Sequence, residues 1–218
     1  MNQRSLEVAL SLCVPFVGRD PTRDNLSVIN VEAGRIWATD GHRAIVVTRE
    51  QSSDQVGQYT VGSKSVITPL AERDRFNVPN IDAVLPAKMP SLALELSAAR
   101  VQDLRSAYLM FVTKADVTVV FSEFGTVTLR CLQDRGSGKN KTTHRVALGL
   151  RGKEWPALKR THKNKEALLG LNFGYLMDVF DATPLSDRDG VQIFNTSDMD
   201  PAVTCAHDVY TLTMPVRV

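Results

Sequence analysis

The segment Gly34–Thr48, GRIWATDGHRAIVVT, constrains the fold of this chain more than any other part of the sequence. Its last residues, Ala44–Thr48, form a β-branched run that is typical of a buried or half-buried strand. The Asp-Gly pair that begins at Asp40 supplies the tolerance for positive φ that a hairpin turn requires. The segment therefore predicts a rigid β-hairpin with His42 and Arg43 at its turn.

The composition is that of a globular protein with one or two domains: 218 residues, 43% hydrophobic and 23% charged. No apolar run approaches the ~20 residues that a membrane helix needs. Glu7 interrupts the only apolar stretch near the N-terminus, so no signal peptide is predicted. The widely spaced Cys13, Cys131 and Cys205 favour reduced thiols in a cytoplasmic protein over a metal site.

Hydrophobic periodicity predicts an α+β chain in which the order strand, helix and three strands recurs. The first copy, which lacks a clear leading strand, has a helical face from Leu6 to Phe16, a strand at Leu26–Val31, the hairpin, and a possible strand at Tyr59–Thr68. The charged, proline-bounded region Arg73–Pro90 is the candidate domain boundary.

The second and third copies are predicted from the same kind of pattern. The second has a strand at Leu92–Leu96, Ser97 as a helix N-cap, a helical stripe of Val101, Leu104, Tyr108 and Phe111, and strands at Asp116–Phe121, Thr126–Leu132 and Arg145–Leu150. The third has a strand at Leu168–Leu171, Asn172 as a cap, a helical face of Tyr175, Leu176, Val179 and Phe180, and strands at Gly190–Asn195, Ala202–Ala206 and Val209–Met214.

Three segments resemble the bacterial sliding clamp, the β subunit of DNA polymerase III. The string Ala38–Arg43, ATDGHR, is similar to that family's signature. The C-terminal YTLTMPVRV is similar to its tail, and Arg75-Phe76 together with Val84–Pro86 resembles the linker into its last domain.

The resemblance implies a DNA-clamp fold of repeated βαβββ units, with antiparallel sheets outside and helices inside. Three units amount to about one and a half clamp domains: a reduced N-terminal domain at 1–88 and a complete C-terminal domain at 89–218. Because family members usually have three domains, the chain is expected to be a shortened form. Four chains would supply the twelve units of a closed ring, which predicts a homo-oligomer.

The resemblance also implies a groove that accepts a short linear motif from DNA polymerase or other replication and repair proteins. Ala44 and Thr213 are smaller or more polar than the family's usual residues, which predicts a shallower groove. The residues carried over by matching position are Thr39, Gly41, His42, Arg43, Ala44, Pro86, Leu212, Thr213, Met214, Pro215, Val216 and Arg217.

A basic segment predicts contact with double-stranded DNA. Between Arg135 and Lys165 ten lysines and arginines stand against the single acid Glu154, which is the kind of cluster that neutralises phosphates. A solvated loop is the alternative. The predicted DNA-binding residues, including three in or beside the predicted helices, are Arg4, Arg100, Arg105, Arg135, Lys139, Lys141, Arg151, Lys153, Lys159, Arg160, Lys163 and Lys165.

No complete catalytic or metal-binding motif is present, so no enzymatic activity, cofactor or metal is predicted. Gly136–Thr142 resembles a phosphate loop, but Gln133 and Asn140 replace its first glycine and its magnesium-binding hydroxyl. The sequence therefore favours a non-enzymatic processivity factor that tethers partners to duplex DNA. The alternative is a clamp-fold adaptor or regulator, in transcription or replication, that binds nucleic acid or clamp partners without forming a ring.

Overall fold

The structure is a computed structural model that describes residues 5–87, 92–110, 117–121, 126–134, 141–149, 169–182, 191–194, 202–206 and 208–214. It divides into two compact units: the first contains Met1–Lys88 and His207–Leu212, and the second contains Met89–Ala206 and Thr213–Val218. The sequence-based division assigns every residue after 88 to the C-terminal domain, whereas this partition assigns His207–Leu212 to the first unit. None of the described helices is long and apolar enough to cross a membrane.

The first unit consists of one helix and a mostly consecutive antiparallel sheet. Its elements are α1 (Leu6–Cys13), β1 (Val28–Glu32), β2 (Arg35–Thr39), β3 (Arg43–Thr48), β4 (Gly57–Val61) and β5 (Ile67–Pro69), joined by β13 (Val209–Thr213), whose residues up to Leu212 group with this unit. The strand order is β5-β4-β1-β2-β3-β13. The C-terminal strand therefore lies directly beside the second arm of the predicted hairpin.

Helix α1 covers the middle of this sheet. Ser5 caps it by accepting a hydrogen bond from the Val8 amide at 3.3 Å. Ala9, Leu10 and Cys13 are buried, and the helix packs against β2 and β3. The chain leaves the helix through a 3₁₀ turn at Val14–Phe16, where proline is tolerated because the first amides of a helix have no internal partner. The predicted first helix is confirmed.

The central strands are buried on both faces. Three or four consecutive residues are buried in each of β1, β2 and β3. Fully burying one such aliphatic side chain contributes about 1.5–3 kcal/mol. The predicted hairpin is confirmed in its register, with Ile36 opposite Val47 and Thr39 opposite Ala44. The preceding strand begins at Val28 rather than Leu26, because residues 24–26 form a 3₁₀ turn.

The prediction of one strand at Tyr59–Thr68 is wrong, because the segment forms the two antiparallel strands β4 and β5. The reversal between them uses Lys64 and Ser65, both with φ of 58°. Neither residue is a glycine, so the sequence does not signal the left-handed backbone of this turn.

The segment after β5, residues 70–87, is called the linker here, and side-chain hydrogen bonds tie it to the sheet. The buried Gln58 amide donates to the Phe76 carbonyl at 2.9 Å and accepts from the Phe76 amide at 2.8 Å. Further along, Arg35 Nη2 donates to Asp82 Oδ2 at 3.0 Å. These hydrogen bonds hold two points within this charged segment, Phe76 and Asp82, against the sheet, where the sequence alone predicts only a boundary.

The second unit contains two strand–helix–strand repeats and two sheets. Its elements are β6 (Leu92–Leu96), α2 (Ala98–Leu109), β7 (Val117–Phe121), β8 (Thr126–Asp134), β9 (Lys141–Gly149), β10 (Leu169–Asn172), α3 (Phe173–Ala182), β11 (Val191–Phe194) and β12 (Ala202–Ala206). The order is β12-β11-β6 in one sheet and β10-β7-β8-β9 in the other. With β13, the predicted order of strand, helix and three strands occurs twice.

Both helices of this unit begin at the predicted caps. Ser97 Oγ accepts from the Arg100 amide at 3.4 Å, and Asn172 Oδ1 accepts from the Tyr175 amide at 3.2 Å. The buried face of α3 starts from Phe173 instead of the predicted Tyr175. The Phe173 ring packs against that of Tyr108 on α2, with ring centroids 4.8 Å apart.

Candidate functional site

The Asp40–Arg43 turn is held by its own side chains. Asp40 Oδ1 accepts hydrogen bonds from the amides of His42 at 2.8 Å and Arg43 at 3.0 Å. Gly41 adopts a φ of 88°, the left-handed backbone that the Asp-Gly pair predicts. Thr39 Oγ1 donates to the Arg43 carbonyl at 2.7 Å and accepts from the Gly41 amide at 3.1 Å. The Thr39 hydroxyl and the Asp40 carboxylate are therefore engaged in hydrogen bonds within the turn itself.

Arg43 fastens this turn to the end of helix α1. Its Nε lies 3.0 Å from Asp40 Oδ2, and its Nη2 donates to the Pro15 carbonyl at 2.7 Å. Its guanidinium carbon lies 5.0 Å from the centroid of the Phe16 ring, within the range of a cation–π interaction. The Arg43 side chain is only 9% exposed. This arginine therefore serves the architecture of the turn, whereas the sequence suggested that its donors face a bound peptide.

Gly41 and His42 are the exposed residues of the turn, and a neighbouring loop lies next to them. A Cβ built on Gly41 would stand 3.0 Å from Arg23 Nη1 and 3.5 Å from Leu26 Cδ1. Arg23 is itself exposed. Sequence reasoning missed both Arg23 and Leu26, because they lie in and just after a polar loop that carries no motif.

The loop before Arg23 has a local hydrogen-bonding structure of its own. The Thr22 hydroxyl and amide donate to Asp20 Oδ1 at 2.7 Å and 2.9 Å, and these bonds hold the pKa of Asp20 below its usual value. The amide of Gly18 donates to the Leu26 carbonyl at 2.8 Å. The loop is thus closed at its base, which fixes the backbone on either side of Arg23.

The C-terminal strand runs toward the Asp40–Arg43 turn. The Thr48 amide, at the end of β3, donates to the carbonyl of Asp208 at 2.8 Å, just before β13 begins. Because β3 and β13 are sheet neighbours, they overlap only if they run antiparallel. Four residues along each strand from this bond stand Ala44 and Leu212, both buried. The structure therefore brings the hairpin and the chain up to Leu212 to one end of one sheet.

The remaining residues of the predicted groove have varied positions. Thr213 is buried, and Met214, directly after β13, is 46% exposed. Pro86 is half-buried and lies four residues after Asp82. Asp82 pairs with Arg35, which lies at the end of β2 opposite to the Asp40–Arg43 turn. The predictions for Pro215, Val216 and Arg217 lie outside the described residues.

The predicted DNA-binding residues fall into two groups. Lys141 takes a register position opposite Asp134 at the start of β9. Arg100 pairs with Asp103 at 2.9 Å, and Arg105 pairs with Asp181 at 2.6 Å. The others lie outside the described residues: Arg4, Arg135, Lys139, Arg151, Lys153, Lys159, Arg160, Lys163 and Lys165.

The described helices carry more acid than base. Helices α1, α2 and α3 contain Arg100 and Arg105 against four acids, a formal charge of −2, and both arginines form ion pairs within the second unit. The four acids are Glu7, Asp103, Asp178 and Asp181. The helix arginines therefore offer little net positive charge to a polyanion.

Neither metal nor thiol chemistry is favoured by the described residues. They contain no group of three or more His, Cys, Asp or Glu side chains that could hold a metal ion. Burial raises the pKa of the Cys13 thiol strongly and that of Cys205 to about 11. Both thiols are therefore protonated and unreactive near neutral pH.

Comparison with known proteins identifies the fold through structure alone. No family model and no curated protein matches the sequence. The DnaN sliding clamp (DNA polymerase III subunit beta) of Bartonella birtlesii, solved with griselimycin bound, matches at 19% identity with a TM-score of 0.69, over 98% of this chain and 64% of that chain.

Two further solved clamps give the same result. The β sliding clamp of C. crescentus matches at 16% identity with a TM-score of 0.66, over 97% of this chain and 63% of that chain. The Helicobacter pylori β clamp bound to a DNA ligase peptide matches at 11% identity with a TM-score of 0.62, over 98% of this chain and 63% of that chain. The chain has the sliding-clamp fold, as its motifs predicted, and spans under two-thirds of the length of these clamps.

Proposed function

We propose that this chain is a non-enzymatic tethering protein that captures a short linear peptide motif at the Asp40–Arg43 turn and keeps its partner on DNA. The observation that carries the proposal is the internal locking of the turn by Arg43. Because Asp40, Pro15 and Phe16 hold this guanidinium, the exposed Gly41 and His42 are presented on a rigid backbone. A preorganised surface loses less entropy when a flexible peptide binds.

The chemistry beside the turn suits a peptide with apolar and acidic or carbonyl groups. His42 and Arg23 carry donors for peptide carbonyls or a carboxylate. Met214, which directly follows the last strand, is an exposed and adaptable apolar side chain of the kind that suits such a peptide. Two neighbours in fold were solved with bound ligands, one with a DNA ligase peptide and another with griselimycin, which supports ligand docking as the function of this chain. Tethering in this way raises the effective concentration of the partner without chemistry.

Peptide capture is tested by fluorescence anisotropy with the labelled DNA ligase peptide, using griselimycin as a competitor. Met214→Ala is expected to weaken binding about 5- to 10-fold, because losing an apolar contact between this exposed side chain and the peptide costs about 1–1.4 kcal/mol. His42→Ala is expected to weaken it further. Val66→Ala, which also shortens an exposed apolar side chain, serves as the control and should bind like the wild type.

The outcome that removes this proposal is specific. If wild-type protein binds neither probe, or if removal of residues 214–218 leaves peptide capture unchanged, the site does not dock peptides. Equal weakening by Val66→Ala would show that the assay reports general destabilisation rather than a local contact.

A second candidate, a clamp-fold adaptor that does not encircle DNA, is favoured by the charge of the helices. A duplex threaded past the helices would meet a formal charge of −2 on the described ones, with Arg100 and Arg105 already ion-paired. A ring predicts a discrete oligomer by light scattering and retention on circular DNA that is lost on linearisation. An adaptor predicts a monomer or dimer whose binding to DNA is independent of topology.

A further inference from the structure

Two arginines occupy directly opposed positions in the β8–β9 hairpin of the second unit. The antiparallel register places Arg130 opposite Arg145, between the pairs Leu129–Val146 and Cys131–His144. Opposed residues of an antiparallel pair share one face of the sheet, with Cβ atoms about 4.5–5.5 Å apart. Leu129 is completely buried, so the next position along the strand belongs to the other face. The register thus places two arginine positions opposite each other on the face that lies opposite the core.

No carboxylate occupies the neighbouring register positions on that face. Across the sheet, Thr118 on β7 is the register partner of Arg130, and Asn172 on β10 is the register partner of Thr118. The pairs two residues away along the ladder are Thr128–Ala147 and Leu132–Thr143. The nearest acid in the ladder, Asp134, stands opposite Lys141. Like charges directly opposite each other destabilise a sheet, and a bound anion would relieve that repulsion.

The surrounding sequence extends this positive charge. Residues 126–165 contain eleven lysines and arginines against two acids, a formal charge of +9. The rest of the chain has fifteen lysines and arginines against twenty-two acids, a formal charge of −7. The net charge of +2 therefore conceals a strong polarisation, whose positive end includes the β8–β9 hairpin.

We propose that the Arg130–Arg145 pair binds phosphate groups of nucleic acid, at a site on the face of the β10-β7-β8-β9 sheet that lies opposite its core. Guanidinium groups bind phosphate oxygens through paired N–H donors, and two arginines at opposed register positions suit a polyanion better than they suit a single carboxylate. The charge spread over residues 126–165 favours an extended polyphosphate backbone over an acidic peptide. The inference rests on the proposed tethering function, from which it takes nucleic acid as the class of partner. It assigns DNA contact to a sheet instead of the helices.

The test measures the salt dependence of binding to a fluorescein-labelled 24-base-pair duplex, using the full chain. Each lost phosphate contact lowers the slope of log K against log salt by about 0.9. The double variant Arg130→Gln/Arg145→Gln should therefore have a slope smaller by about 2. Between 50 and 200 mM salt the wild type should lose about tenfold more affinity than the variant.

Arg73→Gln is the matched control for charge, because Arg73 lies in the first unit with its side chain 88% exposed. It should leave the slope within about 0.3 of the wild-type value. A second readout needs no DNA: at low salt the double variant should unfold at an equal or higher temperature, since opposed like charges are removed. A lower unfolding temperature would mean that the arginines stabilise the sheet, which overturns the premise.

Three further results decide the inference. An unchanged salt slope in the double variant refutes it, as does a polyglutamate peptide that binds the wild type more tightly than the duplex does. A reduced slope with intact capture of the DNA ligase peptide supports it. If the Met214→Ala or His42→Ala protein loses peptide capture but keeps the wild-type salt slope, that result concerns the docking site alone. The two proposals therefore fail separately.

Discussion

Replacing Arg43 by methionine is expected to destabilise the first unit, because one guanidinium holds the Asp40–Arg43 turn against the end of helix α1. Methionine keeps much of the apolar stem of the side chain and removes only the charged head. The variant therefore loses the ion pair with Asp40, the hydrogen bond to the Pro15 carbonyl and the stacking on Phe16, with little loss of packed volume.

The magnitude follows from these three contacts. A hydrogen bond from a charged donor contributes about 1.5–3 kcal/mol, and a cation–π contact about 0.5–2 kcal/mol. The pair with Asp40 adds a smaller amount, because that carboxylate keeps its amide donors in the turn and is 17% exposed. The free energy of unfolding is expected to fall by about 3 kcal/mol.

Urea unfolding followed by the fluorescence of Trp37 measures this change. Trp37 is buried in β2 and donates to Glu32 Oε1 at 2.6 Å, so its emission reports the first unit. Trp155, the second tryptophan, is replaced by phenylalanine in all variants. With a typical urea m-value of about 2 kcal/mol per M, Arg43→Met should lower the midpoint by about 1.5 M.

Arg73→Met is the matched control, since Arg73 also pairs with an aspartate, at 3.7 Å, but is 88% exposed. An exposed pair contributes about 0–1 kcal/mol, so the control should shift the midpoint by less than about 0.5 M. A loss below about 1 kcal/mol in Arg43→Met would refute the reasoning. It would mean that solvent replaces the contacts of this guanidinium without cost.

Three further predictions concern the backbone and the linker. Gly41→Ala should lower the free energy of unfolding by about 1–2 kcal/mol, because a Cβ is strained at a φ of 88°, whereas Gly34→Ala should change it by less than about 0.5 kcal/mol in the same urea titration. Gln58→Ala should speed tryptic cleavage in the linker, because it removes both hydrogen bonds to the linker backbone; an unchanged rate under native conditions would contradict this role. The Arg35 guanidinium lowers the pKa of Asp82, so the stabilisation by this pair is complete above pH ~4 and is lost as the pH falls through the lowered pKa. The difference in urea midpoint between wild type and Asp82→Asn should therefore shrink on acidification, and a difference independent of pH would exclude the ion pair as its cause.

Much of the fold could be predicted because local signals and tertiary structure agree. Ser97 and Asn172 cap their helices as their positions indicate, and the Asp40-Gly41 pair forms the expected turn. Each of these features depends on residues within a few positions of one another. The failures were also local in origin: Lys64 and Ser65 reverse the chain with left-handed backbones that their residue types rarely adopt.

The candidate site was predictable only in part. The hairpin motif identified His42 and Gly41, but Arg23 and Leu26 lie next to them only after the loop folds back. The resemblance also suggested Arg43 as a donor for a peptide, whereas folding directs its donors to the Asp40 carboxylate and the Pro15 carbonyl. Sequence identifies which side chains are available, and burial then decides which of them face outward.

Local sequence specifies the hairpin, the helix caps, the order of strands and helices, and the polarisation of charge, because each is a property of neighbouring residues. Tertiary folding brings β13 beside β3, so that the last strand up to Leu212 groups with the first unit. It also decided that Arg130 stands opposite Arg145. Backbone hydrogen bonds between strands can be made by the backbone groups of all residues except the proline nitrogen, so the residues of one strand do not by themselves identify a distant partner strand.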